Sequence, residues 1–464
     1  MSLPPCFAPP DMSRRDIPLI AVDKEQLPAV LARQPARVAR WCEANQFVGD
    51  AGAVLLVPGE DGTPLLALAG IGARNDPLAL ATCPVLLPAG DYRLHDKEGI
   101  ALDPGLALLG WGLGAYQYTH YRKSSRAPTR LVLDSEAKSL SESFALLKAS
   151  TLVRDLVNTP TEDMGPDELE ATTRRVAHAY GAECSAIRGD DLLTQNFPAI
   201  HAVGRASHRA PRLIELNWGD AAHPKLSIVG KGVCFDTGGL DVKPSSGMRN
   251  MKKDMGGAAH ALALAQLVMA RKLPVRLQLL LGAVENAIGP NAYRPGEVVD
   301  TRAGHKIEID NTDAEGRVVL CDAMAYAAES SPSLMLDFAT LTGAARIALG
   351  PDLPALFCND ETLARQYLEA ADASCDPLWR LPLWRPYFSY LSSSVADFAN
   401  SGGARMGGAI TAAVYLDRFV PAKLPWAHVD VYSWNDSNRP GKPAGGEAQG
   451  LRAAFAMLKK RFAG

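Results

Sequence analysis

Apolar positions along this chain follow two rhythms. From about residue 170 onward, short continuous apolar runs alternate with longer stretches at helical spacing. The runs 213–216, 226–229, 275–283, 334–338, 353–358 and 428–431 predict strands. The stretches 256–271, 318–328, 362–373 and 409–419 predict helices. Such alternation predicts a largely parallel sheet covered by helices. Nearer the N-terminus, 53–57 before Pro58-Gly59 and 65–69 before Gly70 predict strands that end in turns. Residues 105–121 predict a helix, 123–129 the exit from a first domain, and 129–133 a short strand. A long helix is expected over 136–157. It stops before Asn158-Thr159-Pro160, because proline and the residue preceding it disfavour helix. Another is expected over 167–180, behind Pro166. The expectation is an α/β protein: a smaller N-terminal α/β domain over 1–133, a linking helix over 134–160, and a larger C-terminal domain over 161–464. The larger domain would hold a central, mostly parallel or mixed sheet flanked by helices.

Composition agrees with that division. A chain of 464 residues is long for one core. Hydrophobic content of 47% with 21% charged residues is that of a soluble globular protein. The net charge of −3 gives no sign of a polyanionic partner, and residues 1–150 carry 15 Lys+Arg against 16 Asp+Glu. None of the eight cysteines forms a C-x-x-C pair, and Cys234 and Cys321 sit in apolar runs, so buried free thiols are expected. Residues 1–16 hold four prolines and Arg14-Arg15 but no apolar stretch of the kind a signal peptide needs. No run approaches the roughly 18 apolar residues of a membrane span. A cytoplasmic protein is the expectation.

The chemistry gathers in Asn311-Thr312-Asp313-Ala314-Glu315-Gly316-Arg317 and in an upstream set of Lys231, Asp236, Lys243 and Asp254. Each member alone has an ordinary explanation. Lys231 between glycines could be a solvated lysine, Asp236 a turn cap, Asp254 a helix N-cap, and Asp313 and Glu315 favourable charges at a helix start. Together, four carboxylates at the loop edges of one αβ region favour a shared site. Metal between them is the simplest way to hold them together. The phosphate-loop string G-x-x-x-x-G-K-[ST] is absent, and none of the nine histidines falls in H-E-x-x-H. Oxygen-rich ligands suit a two-metal hydrolase.

These residues resemble the leucine (cytosol) aminopeptidases. The likeness covers about 150–464 and rests on separated strings: Arg154 to Pro160, Val229-Gly230-Lys231-Gly232 with Phe235-Asp236-Thr237-Gly238-Gly239 and Lys243-Pro244, Met251 to Ala259, Asn311 to Arg317, and Ala339 to Ala344. The N-terminal 150 residues match more loosely. The resemblance implies a metal-dependent aminopeptidase acting on leucine and other neutral N-terminal residues. It implies two divalent ions, Zn or Mn, in the larger domain, with Lys231, Asp236, Asp254 and Glu315 holding the tighter one and Asp236, Asp313 and Glu315 the more exchangeable one. Lys243 would be the catalytic lysine, and Arg317 would hold a bicarbonate acting as general base. Met251, Thr340, Leu341 and Gly343 would be substrate-binding positions. The partners implied are peptide substrates and five further copies of the chain in a homohexamer.

Asp241 departs from the serine common at its position, Val318 from a leucine, and 401–406 and 434–449 from the commonest pattern. These bear on side-chain preference. A narrower alternative is a dipeptidase acting on substrates such as Cys-Gly. A DNA-binding role is weakened by the neutral N-terminal region. A catalytically dead structural subunit is weakened by seven intact metal and catalytic positions.

Overall fold

The computed structural model describes residues 3–11, 16–72, 76–134, 139–404 and 406–463. The chain divides into two compact units, Met1–Thr151 with Asp436–Ala444, and Leu152–Asn435 with Gly445–Gly464.

The first unit holds a six-stranded sheet in the order Phe7–Ala8, Thr129–Val132, Gly90–Leu94, Ile17–Val22, Pro64–Gly70, Val54–Pro58. Its neighbours run parallel except for the last pair. The strand Thr129–Val132 lies second in this sheet, so 123–129 leads back into that sheet rather than out of the first unit. Leu131 and Val132 are buried there between two parallel neighbours. The strands Ile17–Val22 and Gly90–Leu94 were not anticipated, since Pro18 sits within the first and the second, Gly-Asp-Tyr-Arg-Leu, has no apolar run. The helix Pro104–Ala115 stops before 121 because Tyr116 turns extended. The helix Ser141–Asn158 ends, as its proline signal requires, just before Pro160. Its expected beginning at Glu136 lies outside the described residues.

The second unit is an α/β assembly around an eight-stranded mixed sheet. Its order is Trp379–Arg380, Ala355–Cys358, Trp426–Asp430, Leu334–Ala339, Lys225–Asp236, Arg276–Asn286, Arg212–Trp218, Glu183–Arg188. The central four strands are parallel. Antiparallel strands flank them on both sides. Parallel strands buried on both faces need continuous apolar sequence, which is why these runs were legible. Successive residues of a strand face opposite sides. Gly230 faces the helix Gly256–Ala270, and Lys231 faces the helix Glu315–Glu329.

The strand Lys225–Asp236 is longer than its apolar core at 226–229. Lys231 therefore lies inside it. The flanking glycines serve close packing: a Cβ on Gly230 would stand 2.7 Å from Ala258 Cα, and one on Gly232 2.7 Å from the Gly282 carbonyl. Only after Asp236 does the chain turn, through Gly238 and Gly239, both with positive φ. Among the described residues no helix is long and apolar enough to cross a membrane.

Candidate active site

Open α/β sheets collect ligands at the carboxyl ends of their parallel strands. Here those ends carry Asp236, Asn286, Thr340 (just beyond Ala339) and Asp430. A cavity of about 380 Å³ opens there. Lys231, Asp236, Lys243, Met251, Asp254, Asp313, Glu315, Thr340, Leu341 and Gly343 all line it. Ten of the eleven residues singled out from the sequence thus meet around one space. The eleventh, Arg317, is buried and is not among the lining residues. Its Nη1 donates to the Asn400 carbonyl at 2.7 Å, and its Nε has no partner among the described residues.

The acids are tied to the two lysines. Lys231 Nζ donates to the Thr340 carbonyl at 2.8 Å and stands 2.7 Å from Asp254 Oδ2 and 2.8 Å from Glu315 Oε1. Lys243 Nζ lies 2.8 Å from Asp236 Oδ2 and also pairs with Asp313. Asp254 does not cap a helix. It sits in the short turn Met251–Met255, and its Oδ1 accepts the Thr340 hydroxyl at 2.8 Å. Asp236, Asp313 and Glu315 each present an oxygen within 4.8 Å of the other two.

Such crowding shifts proton affinities. Burial, and then the charge of Asp236, pushes Glu315 up to about 8 and Asp313 up to about 6. Burial works against the charge on Asp254, yet Lys231 and Lys253 hold it below its ordinary value. Burial also opposes both lysine charges, but the surrounding carboxylates keep Lys231 and Lys243 above the usual lysine range.

Residues 151–455 match the catalytic domain of the cytosol aminopeptidase family, and residues 17–134 match the N-terminal domain of the M17 aminopeptidases. This chain belongs to the cytosol aminopeptidase family. A probable cytosol aminopeptidase of Geotalea uraniireducens is 36% identical over 448 residues, 90% of each chain. The structure of a cytosol aminopeptidase from Coxiella burnetii matches with a TM-score of 0.93 at 48% identity, covering 98% of this chain and 99% of that one. The bottromycin maturation enzyme BotP, in complex with Mn, matches with a TM-score of 0.86 at 32% identity, covering 96% and 99%. The protein is thus a leucyl-aminopeptidase-type peptidase, from a family that works with divalent metals.

The donor set of this aminopeptidase fits a cation. Asp254 Oδ2, Asp313 Oδ1 and Glu315 Oε1 are buried, and each faces a lysine ammonium, so these oxygens already stand where positive charge is needed. Gly316 completes the cradle, because a Cβ there would stand 2.7 Å from Lys231 Cε.

Several working residues escaped the sequence reading. Asn286 Nδ2 donates to Asp236 Oδ1 at 2.8 Å and to the Thr312 carbonyl at 3.0 Å. Its signal was a polar residue closing a long apolar strand, in register with Asp236. Tyr293 donates its hydroxyl to the Thr312 carbonyl at 2.7 Å. Asn400 Oδ1 accepts the Asp310 amide at 2.9 Å, and its Nδ2 donates to the Asn311 carbonyl at 2.7 Å. No local pattern marks these two. Asp241 turns its carboxylate to the 311–313 loop, where Oδ2 accepts the Thr312 amide at 2.7 Å.

Proposed function

We propose that this chain is a two-metal aminopeptidase removing leucine and other neutral residues from the N-termini of peptides. The observation that carries this reading is the convergence of Asp236, Asp313 and Glu315, within 4.8 Å of one another, on a cavity shared with Asp254 and two lysines. Lys231, Asp236, Asp254 and Glu315 would hold one divalent ion, Zn or Mn. Asp236, Asp313 and Glu315 would hold the second. Bound there, the pair supplies Lewis acidity and a more acidic water.

The chain's own residues do the rest. Lys231 would bind as a neutral amine, giving up the proton that Asp254, Glu315 and Asp236 hold on it. Lys243 stays charged and stabilises the negative charge that develops on the scissile carbonyl oxygen. Arg317, whose Nε has no partner among the described residues, would hold a bicarbonate, whose chemistry is that of a general base. Asp254 would receive the substrate's N-terminal amine, which confines cleavage to the first residue. Met251, Thr340, Leu341 and Gly343 would contact that residue from the cavity wall. A homohexamer and cytoplasmic residence go with this reading.

The test is release of p-nitroaniline from the leucyl anilide by enzyme stripped with chelator and then reloaded. Recovery with Mn²⁺ or Zn²⁺ is the expected result. Hydrolysis of Cys-Gly with no anilide released would replace the reading by a narrow dipeptidase. Failure on both substrates would overturn it.

A further inference from the structure

The cavity wall beyond the metal-binding acids carries two cations that the mechanism does not use. Lys253 and Arg346 both line the cavity with Met251, Thr340 and Gly343. Lys253 is only 7% exposed. Both cations lie against one ring: Lys253 Nζ is 5.1 Å and Arg346 Cζ 4.8 Å from the ring centroid of Tyr432. Arg346 also donates from Nη1 to the Tyr432 hydroxyl at 3.1 Å. Among the described residues, neither cation has a carboxylate within ion-pair distance.

A buried, unpaired ammonium is costly unless a partner arrives. The one acid in the same wall is already committed. Asp430 accepts the amides of Leu341 at 2.9 Å and Thr342 at 3.2 Å, and the Thr342 hydroxyl at 2.7 Å. Lys253 directly precedes Asp254, the residue assigned to the substrate's amine. A side chain leaving the Cα next to that amine would enter the cavity that Lys253 and Arg346 also line.

On the aminopeptidase reading above, we infer that this wall is a carboxylate-binding subsite that admits N-terminal glutamate and aspartate alongside neutral residues. Tyr432 holds the two cations over the cavity, and its hydroxyl fixes the guanidinium. Arginine suits the task, since it stays charged at any working pH and can bind a carboxylate through two parallel hydrogen bonds.

The test compares glutamyl, leucyl and lysyl p-nitroanilides as kcat/KM on metal-loaded enzyme. The variants are Arg346→Met, Lys253→Met and Arg346→Glu. The glutamyl-to-leucyl ratio should fall by about 10- to 100-fold in each methionine variant. Arg346→Glu should lower it further and raise the lysyl-to-leucyl ratio. Arg346 is exposed on the short helix Gly343–Leu349, so its variants test the idea even where Lys253→Met fails to fold. Leucyl turnover with a glutamyl-to-leucyl ratio the same in parent and Arg346 variants would overturn this inference alone. Release from no substrate would overturn the aminopeptidase reading and this inference with it.

Discussion

A single methyl group tests the metal cradle. Gly316 lies against the stem of Lys231, and a Cβ there would come within 2.8 Å of Cδ, Cε and Nζ. That stem is buried and cannot swing aside. Gly316→Ala should destabilise the metal-free protein by about 1–3 kcal/mol in urea unfolding, the usual range for overpacking, and should lower the bound-metal content by elemental analysis. Parent-like metal content in a folded variant would show that Lys231 placement is not critical. Lys243→Met asks a different question. With Lys243 as the oxyanion stabiliser, kcat on the leucyl anilide should fall about 100- to 1000-fold while the bound metal is kept. At this scale the sequence was informative where chemistry forces residue types into one string, as in Asp313, Glu315, Gly316 and Arg317. It was silent on Asn400 and Tyr293, which reach the same loop from 19 or more residues away and bond only its backbone.

Elements were legible in proportion to how completely they are buried. The strands Leu334–Ala339 and Trp426–Asp430 are buried throughout, so their runs stand out. The edge strand Glu183–Arg188 has only exposed and half-buried residues, so no apolar run marks it. What pins that edge is charge. Glu170, on the helix Pro166–Tyr180, pairs with Arg174 at 2.7 Å, with Arg188 of the edge strand, and with Arg212 of the next strand at 2.8 Å. Burial works against this carboxylate, but the three guanidiniums hold it down at about 2. A depressed acid stabilises the fold above its unfolded pKa, and that stability is lost as pH falls through the folded value. Glu170→Gln should therefore cost about 1.5–3 kcal/mol at pH 7, the range for lost hydrogen bonds to charged groups, Arg212 keeping its pair with Asp167 at 2.8 Å. The gap between variant and parent should close as pH falls from about 4.5 toward 2. Denaturant midpoints measured across that range check it, and a gap independent of pH would mean that packing, not charge, was lost.

On the scale of the molecule, the parallel sheet brings together acids that would repel one another without cations. The sequence foretold the grouping. It could not foretell the cost, which depends on depth of burial. Glu315, pushed up to about 8, and Asp313, pushed up to about 6, both have raised values in the metal-free site. For a raised acid the sign reverses: the stability it allows is full below the unfolded pKa and is lost as pH rises through the folded one. The metal-free enzyme should therefore lose thermal stability between about pH 4.5 and 8. Loading with Mn²⁺ should restore more at pH 8 than at pH 6, because ligands must shed protons before they bind. Calorimetric titration of metal at pH 7 in two buffers of different ionisation heat should show net proton release, with Lys231 adding to the count. A melting temperature of the stripped enzyme that stays flat from pH 5 to 8, with no proton release on loading, would mean that the acids are already ionised and that the lysines alone suffice to hold them together.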